Sequence, residues 1–257
     1  MKTHALLLVS TLAALGGCHS PRPTPPAASA SAASLPAGTL GSTLPNSPAA
    51  ASAPAPTSPT TTAGSAGAWS FDADAAGAPP RGFVFGRTGS GDAGRWLVQA
   101  ARDAPSKPNI VAQLDTDDTD YRFPIAVAAE PSLRDERVSV RCKMVSGKVD
   151  QGCGLVARYR DESNYYVTRA NALEDNIRLY IVKDGKRKQL ASWSGKVTPN
   201  VWHEYRFEVR GDHLEAWWDG QKLLEHSDST LAEAGKAGVW TKADSVTWFD
   251  DLKIEAL

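Results

Sequence analysis

The stretch 137-RVSVRCKMVSGKVDQGCGLVARYR-160 holds two runs of alternating polarity, Arg137–Val145 and Gly152–Arg160, joined by a short turn. Alternation with a period of two is typical of strands that have one buried face. Gly147 stands at the first central position of the turn, where a type II′ turn requires a positive φ. The stretch therefore predicts an antiparallel β-hairpin.

Counting outward from this turn predicts which residues of the two strands face each other. Residues whose numbers sum to 295 are opposed, and three such pairs lie on one buried face: Cys142 with Cys153, Val140 with Leu155, and Val138 with Ala157. Directly opposed cysteines suit a disulfide in an exported protein, which meets an oxidising compartment. We therefore predict a Cys142–Cys153 disulfide. The alternative is two buried thiols that pack as small apolar side chains.

The opposite face of the same strands is polar and basic. A second turn at 161–164 predicts pairs that sum to 325: Tyr159 beside Tyr166 in the core, Arg160 beside Tyr165 outside, and Val156 facing Arg169. Guanidinium groups beside an aromatic ring suit hydroxyl-rich or anionic ligands, and like charges on adjacent strands are unfavourable without compensation. We predict a ligand-binding cluster of Arg158, Arg160, Tyr165 and Arg169. The alternative is a solvated sheet face.

Residues 69–257 continue these short alternating runs, bounded by Gly, Asp, Asn and Pro, with almost no helical period. A dozen or more strands in one domain predict an all-β fold, a jelly-roll sandwich of two antiparallel sheets. This part carries 26 of the 28 basic residues, since Lys2 and Arg22 precede it, against 29 acidic ones. That balance excludes the strongly basic surface needed to neutralise nucleic-acid phosphates, so we expect no nucleic-acid partner.

The first 68 residues have a different composition. Residues 1–17 combine a charged start with a short apolar run, which predicts a signal peptide. They lead into Cys18, and Leu15-Gly16-Gly17-Cys18 resembles the lipobox in which bacterial lipoproteins are lipidated. The alternative is an ordinary signal peptide with an incidental cysteine. Residues 18–68, rich in Ala, Pro, Ser and Thr, predict a disordered linker.

His19, rather than aspartate, follows the predicted lipidated cysteine. By resemblance to lipoprotein sorting in Gram-negative bacteria, this favours delivery to the outer membrane. We therefore expect a cell-envelope protein whose domain at 69–257 is exposed to the periplasm or the exterior.

Several motifs in residues 69–257 follow one another in the order of a known family: GLVARYRD (154–161), NYYVTR (164–169), NIRLY (176–180), DG (184–185), WH (202–203), DG (219–220) and GVWTKADSVTWFDDL (238–252). On these motifs the chain resembles the concanavalin A-like lectin/glucanase superfamily and, within it, the 3-keto-disaccharide hydrolase (3-keto-glucoside lyase/hydratase) domain family. The resemblance implies a jelly-roll sandwich that binds carbohydrate and cleaves 3-keto-glycosides. Trp240 and Lys242, on one face of the last motif, are predicted to line the ligand site.

Cleavage of a 3-keto-glycoside requires a base that removes the acidified C2 proton and a cation that polarises the ketone. The candidate bases by residue type are His203, His213, His226, Asp161 and Asp244, and the candidate cations are Arg158, Arg169 and Lys242. None matches a catalytic position of the family, so no catalytic residue is assigned, and each histidine has a structural or solvent-facing alternative. A conventional glycosidase is disfavoured because the pattern Glu-x-Asp-x-x-Glu is absent from the sequence.

The sequence thus predicts a lipid-anchored domain whose partners are a glycan and, through its anchor, a membrane. It implies no cofactor. A further hypothesis is a structural calcium ion held by Asp72 with Asp250 or Asp251, because calcium prefers clustered oxygen ligands. The alternative function is a non-catalytic envelope interaction module that recognises protein or peptidoglycan through the same basic face.

Overall fold

The computed structural model describes residues 65–257, which form fifteen strands. In chain order the strands are β1 (Ser65–Trp69), β2 (Phe83–Gly89), β3 (Trp96–Ala100), β4 (Asn109–Gln113), β5 (Arg122–Ala128), β6 (Glu136–Ser146), β7 (Gly152–Asp161), β8 (Asn164–Asn171), β9 (Asn176–Lys183), β10 (Lys186–Ser194), β11 (His203–Arg210), β12 (His213–Trp218), β13 (Gln221–Ser227), β14 (Lys236–Trp240) and β15 (Val246–Ala256). The described residues contain no helix that is long and apolar enough to cross a membrane. The predicted signal peptide, the predicted lipidation site Cys18 and most of the predicted linker lie outside the described residues.

The strands form two antiparallel sheets. Sheet A has the order β13-β12-β11-β6-β15-β4-β3, with β1 also paired to β15, and sheet B has the order β10-β9-β8-β7-β14-β5-β2. Each sheet contributes one row of apolar side chains to a buried core, including Val140 and Phe207 from sheet A and Leu155 and Leu179 from sheet B. The predicted all-β jelly-roll sandwich is confirmed. Its first strand begins at Ser65, four residues before the predicted start of the domain.

The predicted hairpin between 137–145 and 152–160 is wrong, because its two strands lie in different sheets. Strand β6 pairs with β11 and β15, whereas β7 pairs with β8 and β14. The alternation that would bury one face of a hairpin also suits two strands that face each other across a sandwich. Gly147 does not have a positive φ. A Cβ atom at Gly147 would lie 1.7 Å from the Asp150 carbonyl oxygen, so the glycine permits a tight crossing between sheets.

The predicted disulfide is confirmed, although it joins the two sheets rather than two paired strands. Cys142 of β6 and Cys153 of β7 are fully buried and bonded, with their Cα atoms 6.6 Å apart. The side chain of Asp244 supports the crossing that precedes Cys153. Its carboxylate accepts backbone N–H bonds from Lys148 (2.6 Å), Val149 (3.0 Å) and Asp150 (3.0 Å). Asp244 thus has a structural role that sequence reasoning left open.

The predicted register between β7 and β8 holds only next to the turn. Asp161 pairs with Asn164 as expected, but Ala157 pairs with Tyr166, a shift of two residues. The irregularity includes Arg158, whose φ of 48° is unusual for a residue other than glycine. Tyr166 lies in the main core as predicted. Tyr159 does not, because the bulge moves it to a second buried cluster on the outer face of sheet B.

The bulge also buries Arg158 instead of exposing it. Its backbone N–H donates to Glu136 Oε1 (2.8 Å), and its guanidinium donates to the carbonyl oxygens of Arg134 (2.7 Å), Leu231 (2.8 Å) and Gly211 (2.7 Å). Burial raises the pKa of the Glu136 carboxyl to about 8, although Arg158 opposes the shift. This network fixes the end of the sandwich where three loops meet.

The raised pKa of Glu136 makes stability depend on pH. The carboxyl has an ordinary pKa of 4.5 and about 8 in the folded state, so folding takes up a proton between these values. The stabilisation is fully present below pH 4.5 and is lost as the pH rises through 8, by about 3 kcal/mol between pH 5 and 8. Urea unfolding at pH 5, 6, 7 and 8 measures this slope. Glu136→Gln is expected to flatten it, and an equal slope in that variant would contradict the assignment.

Candidate functional site

The outer face of sheet B carries a second hydrophobic cluster, although one side of each sheet already packs in the main core. Its members are fully or almost fully buried: Phe123, Ile125, Val127, Val156, Tyr159, Tyr165, Val167, Tyr180, Val182 and Trp240. An outer sheet face with an apolar centre must be shielded from water. In sheet B the curvature of the sheet shields it, because the sheet folds over its own outer face.

Arg187 of the edge strand β10 shows how strongly sheet B curls. Its guanidinium lies 4.5 Å from the ring centroids of both Phe123 on β5 and Tyr180 on β9. These strands are four positions apart in the sheet, which would separate them by about 19 Å if the sheet were flat. The Tyr121 hydroxyl closes the same gap, since it accepts the Arg187 N–H (3.0 Å) and donates to the Gly185 carbonyl (3.1 Å). The centre of this concave face is therefore filled by the protein's own side chains.

One end of the concave face is polar and buried. Asp150 is fully buried, and among the described residues no well-aligned donor reaches either of its carboxylate oxygens. Lys242 Nζ lies 3.3 Å from Asp150 Oδ2 and 2.6 Å from Asp120 Oδ1, at the exposed rim. Burial raises the pKa of the Asp150 carboxyl above its ordinary range, against the charges of Arg169 and Lys242. We call this group the Asp150 cluster: Asp150, Arg169, Asn171 and Lys242.

Two glycines of β7 make room for the Asp150 cluster. A Cβ atom at Gly152 would lie 2.9 Å from Asp150 Oδ1, and one at Gly154 would lie 2.9 Å from the indole of Trp240. Gly154 pairs with Trp240 on one side and Arg169 on the other, so these two predicted residues flank the same point of the sheet. Because β7 offers no side chain there, the indole and the carboxylate lie directly on its backbone.

Arg169 is held from several sides. Its guanidinium donates to Asn176 Oδ1 (2.5 Å), Glu174 Oε2 (2.8 Å) and the Tyr180 hydroxyl (3.4 Å). Its Nε and the Asn171 side-chain nitrogen have no acceptor among the described residues. Buried polar atoms without partners are costly, so this end of the face retains capacity to hydrogen-bond a polar group.

The six residues predicted to bind ligand fall into separate places. Three of them, Arg169, Trp240 and Lys242, meet around Gly154 and Asp150. The predicted cluster of Arg158, Arg160, Tyr165 and Arg169 on one exposed face is wrong, because the bulge turns Arg158 inward and the curvature of sheet B buries Tyr165. The Tyr165 hydroxyl is 2.7 Å from Thr88 Oγ1 in the second cluster. A binding role for the six residues stays a prediction.

Arg160 is exposed and lines an open cleft of about 500 Å³ beside the edge strand β2. We call it the β2 cleft. Its other principal residues are Phe85, Tyr159, Glu162 and Lys236. A smaller pocket of about 190 Å³ shares Phe85 and Glu162 with it. Sequence reasoning missed Phe85 and Lys236, because neither lies in the strands from which the site was predicted.

Local structure explains how the β2 cleft is built. A Cβ atom at Gly86 would lie 2.8 Å from the Tyr159 hydroxyl and 2.9 Å from the Glu162 side chain, so glycine lets both lie against β2. Lys236 of β14 is directly opposite Tyr159 in the sheet. Burial, followed by the nearby carboxylates, raises the pKa of Tyr159 to about 12, which keeps its hydroxyl protonated as a donor. The Phe85 side chain is left in solvent, with 41% of the residue exposed.

A groove of about 450 Å³ on the outer face of sheet A has a different character. Its charged residues are Arg141, Glu204, Asp251 and Lys253, two of each sign. Arg141 and Glu204 lie 3.8 Å apart, and Asp251 accepts the Ser106 hydroxyl (2.5 Å). No aromatic residue lines this groove. It therefore lacks the ring that a sugar-stacking site needs.

The remaining predicted bases lie outside the Asp150 cluster, and His203 and Asp161 have structural partners. His203 stacks on Trp218 (4.4 Å) and lies between Asp219 Oδ2 (2.7 Å) and the Thr198 carbonyl (2.9 Å). Asp161 accepts the N–H of Ser163 (2.7 Å), which shapes the β7–β8 turn. His226 is half-buried on β13, outside both the Asp150 cluster and the β2 cleft. His213 lies on sheet A, within 3.1 Å of Glu215 Oε1 and 3.4 Å of Glu225 Oε1.

The acids proposed for calcium are engaged by protein donors. Asp250 Oδ2 accepts the Ser106 N–H (2.8 Å), and Asp72 Oδ1 accepts the Asn109 N–H (2.9 Å). Burial raises the pKa of the Asp250 carboxyl to about 6, with Asp251 and Asp72 adding to the shift. Among residues 65–257 the ligand atoms that converge as a metal site would require belong to His213, Glu215 and Glu225, not to these acids.

Comparison with known proteins supports the fold. No family model matches the chain, and neither does any curated protein. The carbohydrate-binding module CBM66 from Bacillus subtilis is similar in structure, with a TM-score of 0.53 and 16% identity over 67% of this chain and 95% of that chain. This likeness supports the jelly-roll sandwich of two antiparallel sheets. Membership of the 3-keto-disaccharide hydrolase family stays a prediction.

Two further structures resemble the chain more distantly. One is a Bacillus subtilis protein of unknown function with a galectin-like fold, 11% identical over 68% of this chain and 90% of that chain, with a TM-score of 0.48. The other is the exoplasmic/lumenal domain of VIP36 in a form with bound calcium and mannose, 14% identical over 68% and 83%, also with a TM-score of 0.48.

Proposed function

We propose that this protein binds glycans and that the β2 cleft is the binding site. The observation that carries the proposal is an exposed aromatic ring, Phe85, in an open cleft of about 500 Å³ that also presents charges of both signs. Clefts that bind small ligands commonly have volumes of about 300–1,000 Å³. The likeness to CBM66, which is by name a carbohydrate-binding module, supports the choice of ligand class.

The cleft offers partners for both the apolar face and the hydroxyl groups of a sugar. The apolar C–H face of a pyranose stacks on an aromatic ring, for which Phe85 is available. Hydroxyl groups accept from Arg160 and Lys236 and donate to Glu162, and charged partners make such hydrogen bonds stronger. The hydroxyl of Tyr159, which also lines the cleft, adds a neutral hydrogen-bonding partner.

Saturation-transfer NMR with the purified protein tests this proposal. The ligands are maltose, cellobiose, lactose, sucrose and trehalose, together with their 3-keto forms. We expect transfer from the protein to at least one disaccharide. Absence of transfer to every sugar would reject the proposal and favour the alternative, a non-catalytic envelope interaction module that recognises protein or peptidoglycan.

The second candidate function is cleavage of 3-keto-glycosides, which the family resemblance implies. It is favoured by Asp150, a buried carboxylate with a raised pKa that forms an ion pair with Lys242, lies near Arg169 and accepts no well-aligned hydrogen bond from the described residues. Such a carboxyl can act as the base, while a cation stabilises the enolate that forms. The ion pair between Lys242 and Asp120 at the rim must open to admit substrate.

The same NMR samples distinguish binding from cleavage. New product signals from a 3-keto disaccharide that disappear in Asp150→Asn would support cleavage at this cluster. The matched control is Asp184→Asn, which changes an exposed carboxylate on the β9–β10 turn. Conversion that persists in Asp150→Asn would reject Asp150 as the base.

We also propose that the protein is a lipoprotein, anchored through Cys18 in the outer membrane. The lipobox-like sequence that ends in Cys18 supports this, as does the composition of residues 18–68. Fractionation of cells that express the full chain is the test. The protein is expected in the membrane fraction, and Cys18→Ser is expected to release it into the soluble fraction. Equal distribution of both forms would reject the anchor.

A further inference from the structure

Three side chains on the outer face of sheet A meet in a way that the proposed function does not use. His213 Nε2 lies 3.1 Å from Glu215 Oε1 and 3.4 Å from Glu225 Oε1. One ligand atom from each residue lies within 4.8 Å of the others. None of the three belongs to the Asp150 cluster or to the β2 cleft.

The backbone of sheet A fixes this arrangement. Glu215 of β12 is directly opposite Glu225 of β13, and His213 precedes Glu215 by two residues on the same face of β12. Two carboxylates directly opposite each other repel unless a cation compensates them. In this protein the Lys222 ammonium does so, at 3.1 Å from Glu215 Oε1 and 2.6 Å from Glu225 Oε2.

Two of the three separations between ligand atoms agree with the geometry of a tetrahedral zinc site. With ligands about 2.0–2.1 Å from the ion, ligand atoms in such a site lie about 3.4 Å apart. The two distances from His213 Nε2, 3.1 and 3.4 Å, match this value without rearrangement of the backbone. One imidazole and two carboxylates form a donor set that zinc accepts, and they leave a coordination position for water.

A further hydrogen bond orients the Glu215 carboxylate, as is common for metal ligands. The Trp217 indole donates from Nε1 to Glu215 Oε2 (3.1 Å), which directs the other oxygen toward His213. Arg206 covers the Trp217 ring, with its guanidinium 3.9 Å from a ring centroid. Only 18% of the Glu215 side chain is exposed, whereas His213 and Glu225 are more accessible.

We propose that His213, Glu215 and Glu225 form a binding site for a divalent transition-metal ion, with zinc as the ion to test. In the metal-free protein the Lys222 ammonium forms ion pairs with both carboxylates. Zinc takes both carboxylates and the imidazole, and Lys222 moves into solvent. The site lies on sheet A and is independent of the proposed glycan site on sheet B.

Calorimetric titration of zinc chloride into chelator-treated, untagged protein tests the proposal. His213→Asn and Glu225→Gln are each expected to weaken zinc binding at least tenfold. Lys222→Met is expected to strengthen it several-fold, because the competing ammonium is gone. The matched control is His226→Asn, on the same strand as Glu225 but outside the site, which should leave the affinity unchanged.

Three results would overturn the proposal. The first is no zinc binding by the protein. The second is equal affinity in the protein and in His213→Asn or Glu225→Gln, which would place the zinc elsewhere. The third is unchanged or weaker binding in Lys222→Met, which would mean that the ammonium does not compete with zinc for these carboxylates.

Discussion

Replacement of Arg158 by methionine is expected to lower the free energy of unfolding by about 3–5 kcal/mol, because it removes a buried, fully bonded charge. The guanidinium donates to carbonyl oxygens from three separate loops. Among the described residues, no other side chain donates to the carbonyls of Leu231 and Gly211. Methionine fills part of the volume but leaves these acceptors unpaired, and each buried unpaired acceptor is costly.

Urea unfolding at pH 7 measures this effect, with Arg134→Met as the control. Arg134 is a neighbour of Arg158 in space, since its carbonyl oxygen accepts from the Arg158 guanidinium. Its own side chain is exposed, so its replacement should change stability by less than about 0.5 kcal/mol. Folded Arg158→Met should still bind glycan as the unaltered protein does. Undiminished stability together with lost glycan binding would return Arg158 to the ligand site predicted from the sequence.

Removal of the Phe85 ring or the Arg160 guanidinium is expected to weaken glycan binding about tenfold each, equivalent to about 1.4 kcal/mol. Phe85→Ala removes the stacking surface, and Arg160→Ala removes a charged donor that also lines the cleft. Both side chains are exposed, so stability should change little. Titration of each variant with the disaccharide that the unaltered protein binds gives the affinities.

Matched controls show whether the loss of glycan affinity is specific to the cleft or follows from removing any exposed side chain of the same type. Leu173→Ala removes an exposed apolar side chain at the other end of sheet B, and Arg134→Ala removes an exposed guanidinium outside the cleft. Neither should alter the affinity. If Phe85→Ala and Arg160→Ala bind as tightly as these controls, the β2 cleft is not the site.

Much of the fold follows from side-chain alternation. The period of two in 137–145 and 152–160 correctly assigned two strands, and it placed Cys142 and Cys153 on the faces that meet in the core. Alternation reports only which side of a strand is buried, however. It does not distinguish two strands that hydrogen-bond side by side from two that face each other across a core. The hairpin prediction therefore failed while the disulfide prediction succeeded.

The candidate site was less accessible from sequence because it depends on two features that alternation does not encode. The bulge at Arg158 changes the register by two residues and exchanges the environments of Arg158 and Tyr159. The curl of sheet B brings Phe123 and Tyr180 to one guanidinium from strands that are far apart in the sheet. Asp150 was missed for a related reason, since it lies in the crossing between sheets that was read as a turn.

The grouping of Arg169, Trp240 and Lys242 was predictable in part. Their spacing predicted that Trp240 and Lys242 share a face of one strand, although β14 ends at Trp240 and Lys242 follows it. Arg169 lies beside Trp240 because Gly154 of β7 stands between their strands, β8 and β14. Full burial of Trp240 was not predictable, because it depends on Phe123, whose ring stacks on the indole at 5.2 Å.

Chemical-shift mapping on isotope-labelled protein tests the central claim most directly, since it reports both whether a glycan binds and where. The labelled protein is titrated with the disaccharide panel and the backbone amide signals are followed. We predict that the largest shifts fall on β2 and on residues 159–163, with little change on sheet A. Largest shifts at the Asp150 cluster or on sheet A, or no shifts with any sugar, would contradict glycan binding in the β2 cleft.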